Sequence, residues 1–206
     1  LRLTPGIEAH THDYIKTGQI DSKFGFGLEN GHAFMAIENA LSIKNVKLMG
    51  FHCHIGSQIF EKEPFREAAD IMVHFAKMVE EKYGFKTQEI DFGGGFGVRY
   101  TEEDKPLEVR DYLETLVESV IESCEKYNLS APKILIEPGR AIVGEAGVTL
   151  YTIGAIKNIP GIRKYVSVDG GMSDNIRPAL YNAKYSAAIA NKAKWPAEET
   201  VSIAGK

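Results

Sequence analysis

The strongest constraint on this sequence is a recurring unit: a short apolar run, a glycine-containing turn, then a long amphipathic segment. VKLMGFHCHIG (46–56) reads as a strand, with Val46, Leu48, Met49 and Phe51 in a short run closed by Gly56. Pro64 stands where a first helical residue belongs. Phe65, Ala68, Ala69, Met72, Phe75, Ala76 and Val79 then recur at helical spacing, and Gly84 is the stop. TQEIDFGGG (87–95) repeats the strand and glycine turn. A second helix is predicted to open near Pro106, with Leu113, Leu116, Val117, Val120, Ile121 and Cys124 on one face. KILIEPGR (133–140) is a third strand and turn. Upstream, LRLTPG reads as the end of another strand, and Phe34, Ile37 and Leu41 predict a helix over about 31–43.

Strands alternating with helices imply parallel βα units, which suit a doubly wound sheet or a (β/α)8 barrel. The units number roughly four, half of such a barrel. After residue 145 the pattern changes: GVTLYTIGAIKNI (147–159) and KYVSVDGG (164–171) are strand-like with no long helix between them. Antiparallel pairing there predicts the start of a β-rich second domain, giving domains at 1–145 and 146–206. Both ends of the chain read as cut through strands.

Charge and cysteine content exclude several function classes. The formal net charge is -4 and no Lys/Arg run is present, so neither nucleic acid nor an anionic membrane surface is an expected partner. Two cysteines, Cys53 and Cys124, are too few for a disulfide scaffold and suit a reducing cytoplasm. No apolar run approaches the roughly 20 residues that span a bilayer, and the first ten residues lack the features of a signal peptide. The expectation is a soluble cytoplasmic protein.

Several residues could carry chemistry. His52 and His54 alternate on one strand and share a face, while Cys53 points the other way. A catalytic zinc needs about three protein ligands, and beyond this pair only Asp91, Glu137 and Asp169 offer themselves, so no metal is assigned. Gly93, Gly94 and Gly95 could turn backbone N–H groups toward an anion or simply form a tight corner. This stretch is neither the dinucleotide fingerprint, since Val98 occupies the last glycine position, nor a P-loop. Glu137-Pro138-Gly139-Arg140 closes the next strand. In a barrel the arginine and the glycine amides would form a phosphate pocket at the C-terminal face; alternatively Glu137 and Arg140 form a structural ion pair. Arg177 and Tyr181, four apart after Asp169-Gly170-Gly171, could bind a carboxylate or be surface residues of a short helix. His10 and His12 read as loop residues that cap or hydrogen-bond locally.

Taken together, EAHTHDYIKTG (8–18), DSKFG (21–25), GFHCHIGSQI (50–59), DFGGGFG (91–97), EPGRAIV (137–143) and VDGGMSDNIRPALY (168–181) resemble the fold-type III, alanine-racemase-like, pyridoxal-phosphate-dependent decarboxylases. The first and the last of these stretches favour the diaminopimelate branch over ornithine or arginine. The resemblance implies an α/β chain: the second half of a (β/α)8 barrel, then the start of a β-rich C-terminal domain. It implies pyridoxal 5'-phosphate as cofactor and a reaction taking meso-2,6-diaminopimelate to L-lysine and CO2, in a homodimer whose subunits share the active site.

Residue by residue, the resemblance implies that His54 stacks on the pyridine ring and Glu137 keeps the ring nitrogen protonated. Ser57, Gly93, Gly94, Gly95 and Arg140 hold the phosphate, with Pro138 and Gly139 lining the same turn. Arg140, Arg177 and Tyr181 contact the substrate, and Lys23 lies near the dimer interface. The family's Schiff-base lysine, in a Tyr-Ala-x-Lys setting, and its Cys-Glu-Ser-x-Asp segment do not occur in these residues, so activity is expected of a longer parent. Two other readings stand beside this one. A related decarboxylase of ornithine, arginine or carboxynorspermidine is opposed by Arg177, whose charge suits an anionic distal group. A catalytically silent regulator of the same fold is the other.

Overall fold

A computed structural model describes residues 1–7 and 23–205. The motif over 8–18, with His10 and His12, and the first two residues of DSKFG lie outside the described residues. The chain divides into two compact units, Leu1–Arg99 with Lys105–Glu145, and Tyr100–Asp104 with Ala146–Lys206.

The first unit is α/β. Its strands are β1 (Leu3–Thr4), β2 (Phe26–Gly27), β3 (Gly50–His52), β4 (Glu89–Asp91) and β5 (Lys133–Leu135), and its long helices are α1 (His32–Ser42), α2 (Glu63–Tyr83) and α3 (Val109–Tyr127). All strand pairs here are parallel, β1 with β2 and β3-β4-β5 in order. A parallel bridge between Arg2 and His52 sets the start of the chain beside β3. Parallel neighbours need crossovers, and α2 and α3 supply them.

Helix α2 follows its sequence signals. Pro64 lies in the first turn, and Gly84 ends the helix at φ 67, donating its N–H to Glu80 O. A left-handed residue there is what glycine permits at least cost. The predicted stripe is buried, with Phe65 stacked on Phe96 at 5.2 Å and Phe75 against Phe51 at 5.6 Å.

Three expectations need correction. The strand predicted from Val46 begins only at Gly50, because Val46 closes a turn by donating its N–H to Ile43 O. The helix predicted from Pro106 begins at Val109, where the extended Glu108 (ψ 143) serves as N-cap. Its buried face is also rotated. Tyr112, Thr115, Leu116, Ser119, Val120, Ser123 and Cys124 face inward, while Val117 and Ile121 are 41% and 47% exposed. The Tyr112 hydroxyl reaches Ile59 O at 2.9 Å, and its ring packs against the stacked Phe65 and Phe96, 5.5 and 5.4 Å away. Thr115 and Ser119 return their hydroxyls to carbonyls four residues back, which lets polar residues occupy a packed face.

The second unit holds β6 (Ile153–Ile159), β7 (Arg163–Val168), β8 (Ser202–Ala204) and the short α5 (Arg177–Tyr181). β6 and β7 pair antiparallel with a register shift between Ile153 and Ile156, and β8 joins β7 in parallel. Among the described residues every buried apolar side chain belongs to the first unit, and Val148, Leu150, Ile156 and Ile162 in the second are open to solvent. No helix among the described residues is long and apolar enough to cross a membrane.

Candidate functional site

The C-terminal ends of β3, β4 and β5 bring most of the singled-out residues together. Register sets His52 beside Asp91 and Asp91 beside Leu135. Lateral neighbours share a face, and alternation returns Glu137 to the face of Leu135. The geometry agrees: His52 Nε2 lies 3.2 Å from Glu137 Oε2. An ionised carboxylate only accepts, so His52 donates. His52, Asp91 and Glu137 bring one ligand-type atom each within 4.8 Å of one another.

The glycine turn is held from both sides. Gly93 donates its N–H to Asp91 Oδ1 at 2.8 Å, a local bond of the Asx-turn kind. Gly94 donates to His54 Nδ1 at 3.3 Å, which leaves the proton of a neutral His54 on Nε2. Burial lowers the pKa of His54, helped by the nearby charge of Arg2, with His52 and Arg140 adding and Glu137 opposing. The imidazole is therefore neutral at physiological pH. The N–H of Gly95 donates to no group among the described residues.

The three strand ends are also crowded. A Cβ on Gly94 would lie 2.2 Å from Glu137 O, and one on Gly95, at φ 96, would lie 2.3 Å from Gly56 O. Glu137 N–H bonds Gly93 O at 2.7 Å, then Gly139 N–H returns to Glu137 O at 2.8 Å around Pro138 at φ -79, ψ 61. These angles are those of an inverse γ-turn, whose φ proline pre-sets. The turn leads into the short α4 (Gly139–Val143), and Arg140 on it hydrogen-bonds Ser57 Oγ. The two readings of Glu137 and Arg140 resolve into separate partners, His52 for the carboxylate and Ser57 for the guanidinium.

Sequence reasoning passed over Gln58. It sits at φ 62, and its side chain clamps Val98, donating Nε2–H to the carbonyl at 2.6 Å and accepting the N–H at 3.3 Å. The clamp ties the Ser57 loop to the glycine turn. A positive φ at a non-glycine residue leaves no sequence signal. His52 and Asp91 were visible as strand residues, but their pairing with the turn emerges only from register.

Within the second unit, α5 carries Arg177 and Tyr181. The guanidinium donates Nε–H to Tyr185 Oη at 2.9 Å and lies 5.4 Å from the Tyr181 ring centre and 5.6 Å from that of Tyr100. Tyr100 packs edge-on to Tyr185 at 5.1 Å. Tyr100 and Tyr185 had no sequence signal. A groove of about 630 Å³ between α2 and α3 contains none of these residues; it is lined by Glu63, Asp70, Glu122 and Lys126 among others.

The donor set at the strand ends suits a bound anion beside a cation. The Ser57 hydroxyl, the Arg140 guanidinium and the open Gly95 N–H fit a phosphate, and the 59% exposed Glu137 carboxylate fits a positively charged ring nitrogen. Residues fitting pyridoxal phosphate are thus present.

Comparison with known proteins points the same way. The family described as "Pyridoxal-dependent decarboxylase, pyridoxal binding domain" matches residues 1–144. The chain is 55% identical over 208 residues to the diaminopimelate decarboxylase of Bacillus subtilis (strain 168), covering 100% of this chain and 47% of that protein. It is 54% identical to that of Bacillus methanolicus, covering 100% and 48%. Among solved structures, diaminopimelate decarboxylase from M. jannaschii in co-complex with L-lysine superposes with a TM-score of 0.82 at 33% identity, over 99% of this chain and 46% of that one. The chain spans about half the length of the relatives it matches.

Proposed function

Since the chain belongs to the pyridoxal-dependent decarboxylases, through their pyridoxal-binding domain, we propose that the protein containing it is a carboxy-lyase that converts meso-2,6-diaminopimelate to L-lysine and CO2. The observation that carries this reading is the convergence of Glu137, His54, Ser57, Gly95 and Arg140 on the ends of three adjacent parallel strands. That placement is where (β/α)8 barrels build their sites, and the parallel β3-β4-β5 order supports residues 1–145 as half of such a barrel and 146–206 as the opening of a β-rich domain.

Bound pyridoxal phosphate supplies an electron sink for the electron pair released as CO2 departs. Ser57, Gly95 and Arg140 bind the phosphate. Gly93 and Gly94 serve this by shaping the turn, since their N–H groups are taken by Asp91 and His54; Pro138 and Gly139 serve it by aiming Arg140. The neutral His54 offers a ring face to the cofactor. Glu137 holds the proton of the ring nitrogen. Arg177 and Tyr181, together on α5, read a substrate carboxylate. The 50–55% identity to diaminopimelate decarboxylases over the whole chain supports this substrate over ornithine or arginine. The apolar side chains left open on the second unit support a homodimer in which that surface is covered.

The test is CO2 release from meso-diaminopimelate and from ornithine, by protein expressed from the whole reading frame with pyridoxal phosphate supplied. Release from diaminopimelate alone is expected. Release from ornithine would overturn the substrate, and release from neither would favour a silent member of the fold.

A further inference from the structure

Glu137 has two carboxylate oxygens, and the structure commits one of them. Oε2 accepts from His52 Nε2 at 3.2 Å. The His52 side chain is 22% exposed and Glu137 is 59% exposed, so the donor is held by the protein while the acceptor faces outward. The backbone of His52 is fixed on both edges: its N–H bonds Leu1 O at 2.9 Å, and it pairs with Asp91 across β4. Asp91 is fixed in turn through the Gly93 N–H. A glutamate side chain has three rotatable bonds and loses entropy when held in one arrangement. Here a rigid strand histidine fixes its head group, and Asp91, another carboxylate within 4.8 Å of both, disfavours motion toward β4.

We propose that His52 is a positioning residue for Glu137: it binds Oε2 so that the second oxygen is presented to the cofactor's ring nitrogen. This rests on the reading of Glu137 given under Proposed function. His52 touches neither substrate nor cofactor in this scheme and acts through the carboxylate. Glutamine is the informative replacement, because its Nε2–H can donate from nearly the same place, whereas alanine removes the donor.

The experiment uses protein from the whole reading frame, loaded with pyridoxal phosphate labelled with nitrogen-15 in the ring. The chemical shift of that nitrogen reports its protonation without turnover. His52→Ala is expected to move the shift toward the unprotonated value and to lower kcat roughly tenfold, the scale of a lost hydrogen bond to a charged group, with KM and cofactor affinity nearly unchanged. His52→Gln is expected to restore most of both. Glu137→Gln is the reference and is expected to give the full shift change. An unchanged shift and kcat in His52→Ala, with Glu137→Gln still impaired, would overturn the positioning role alone. Equal losses in His52→Ala and His52→Gln would assign His52 to packing and overturn it too. An unchanged shift in Glu137→Gln would overturn the underlying assignment of Glu137, and with it the inference.

Discussion

Gly94→Ala tests whether the crowding of the strand ends is what aims the site. The added Cβ would lie 2.2 Å from Glu137 O and 3.2 Å from its carbonyl carbon. Carbon and carbonyl oxygen approach no closer than about 3.3 Å without strain, so the segments must part by about 1 Å. Both groups are backbone, and no side chain can swing aside. The same oxygen closes the γ-turn at 2.8 Å, and the adjacent Glu137 N–H bonds Gly93 O at 2.7 Å; a 1 Å displacement strains both bonds. Two weakened backbone bonds at about 1 kcal/mol each, with the overpacking itself, give a destabilisation of about 2–4 kcal/mol. A displacement of about 1 Å at Glu137 and Arg140 is expected to lower kcat/KM roughly 100-fold. Gly139→Ala is the control: its Cβ would meet nothing within 4 Å, and stability is expected to stay within about 0.5 kcal/mol. Urea unfolding followed by circular dichroism, with CO2 release, measures both. Stability within about 0.5 kcal/mol and activity within about twofold for Gly94→Ala would refute the reasoning.

Other expectations follow from the same structure. Desolvation raises the pKa of Asp70, but hydrogen bonds from Lys126, Tyr127 and Ser123 outweigh it and leave the pKa below the usual value. A depressed carboxylate contributes stability above its unfolded value and loses it as pH falls through the folded one. The stability difference between wild type and Asp70→Asn should therefore be present near neutrality, amount to less than about 1 kcal/mol after solvent screening, and vanish in acid urea titrations. Burial, reinforced by Asp91, pushes the Cys53 thiol up to about 12, so a thiol reagent should label Cys53 only after denaturation; labelling of the native protein would contradict its burial. Tyr185→Phe removes the acceptor of Arg177 Nε; if Arg177 reads the substrate as proposed, KM for the proposed substrate should rise about three- to tenfold with kcat nearly constant. A fall in kcat alone would place Tyr185 elsewhere in the reaction.

The helix α2 was legible because every signal agreed: a proline in its first turn, a glycine just past its end and an unbroken apolar stripe between them. In helix α3 apolarity and burial do not coincide. Thr115, Ser119 and Ser123 look like surface residues, yet each finds an acceptor, and Tyr112 anchors the face they belong to. Val117 and Ile121 look like core and are half-exposed. In the candidate site, Glu137 and Arg140 were legible as unusual residues at a strand end. Their partners were not, since the contacts span 85 and 83 residues of sequence and depend on parallel register. Gln58 was unreadable for another reason: its role comes from a backbone angle that its residue type does not announce.

The glycine turn shows how packing and chemistry occupy the same residues. Its sequence supports either a tight corner or an anion-binding loop, and the structure engages the N–H groups of Gly93 and Gly94 within the protein, so the proposed anion contact falls to Gly95. Gly93 and Gly94 spend their N–H groups on Asp91 and His54, so they cannot also serve an anion without breaking those bonds. Gly94 is required because Glu137 O comes too near for any Cβ, and Gly95 because Gly56 O does. The same close approach lets Glu137 N–H reach Gly93 O, which sets the start of the γ-turn and hence the direction of Arg140 toward Ser57. Side chains on these glycines would widen the gap between strand ends and separate the groups proposed to hold the phosphate. Crowding is therefore the physical cause of the site's geometry, and the open amide of Gly95 is left where the Ser57 loop and the glycine turn meet, joined by the Ile59 N–H to Gly95 O bond at 2.9 Å.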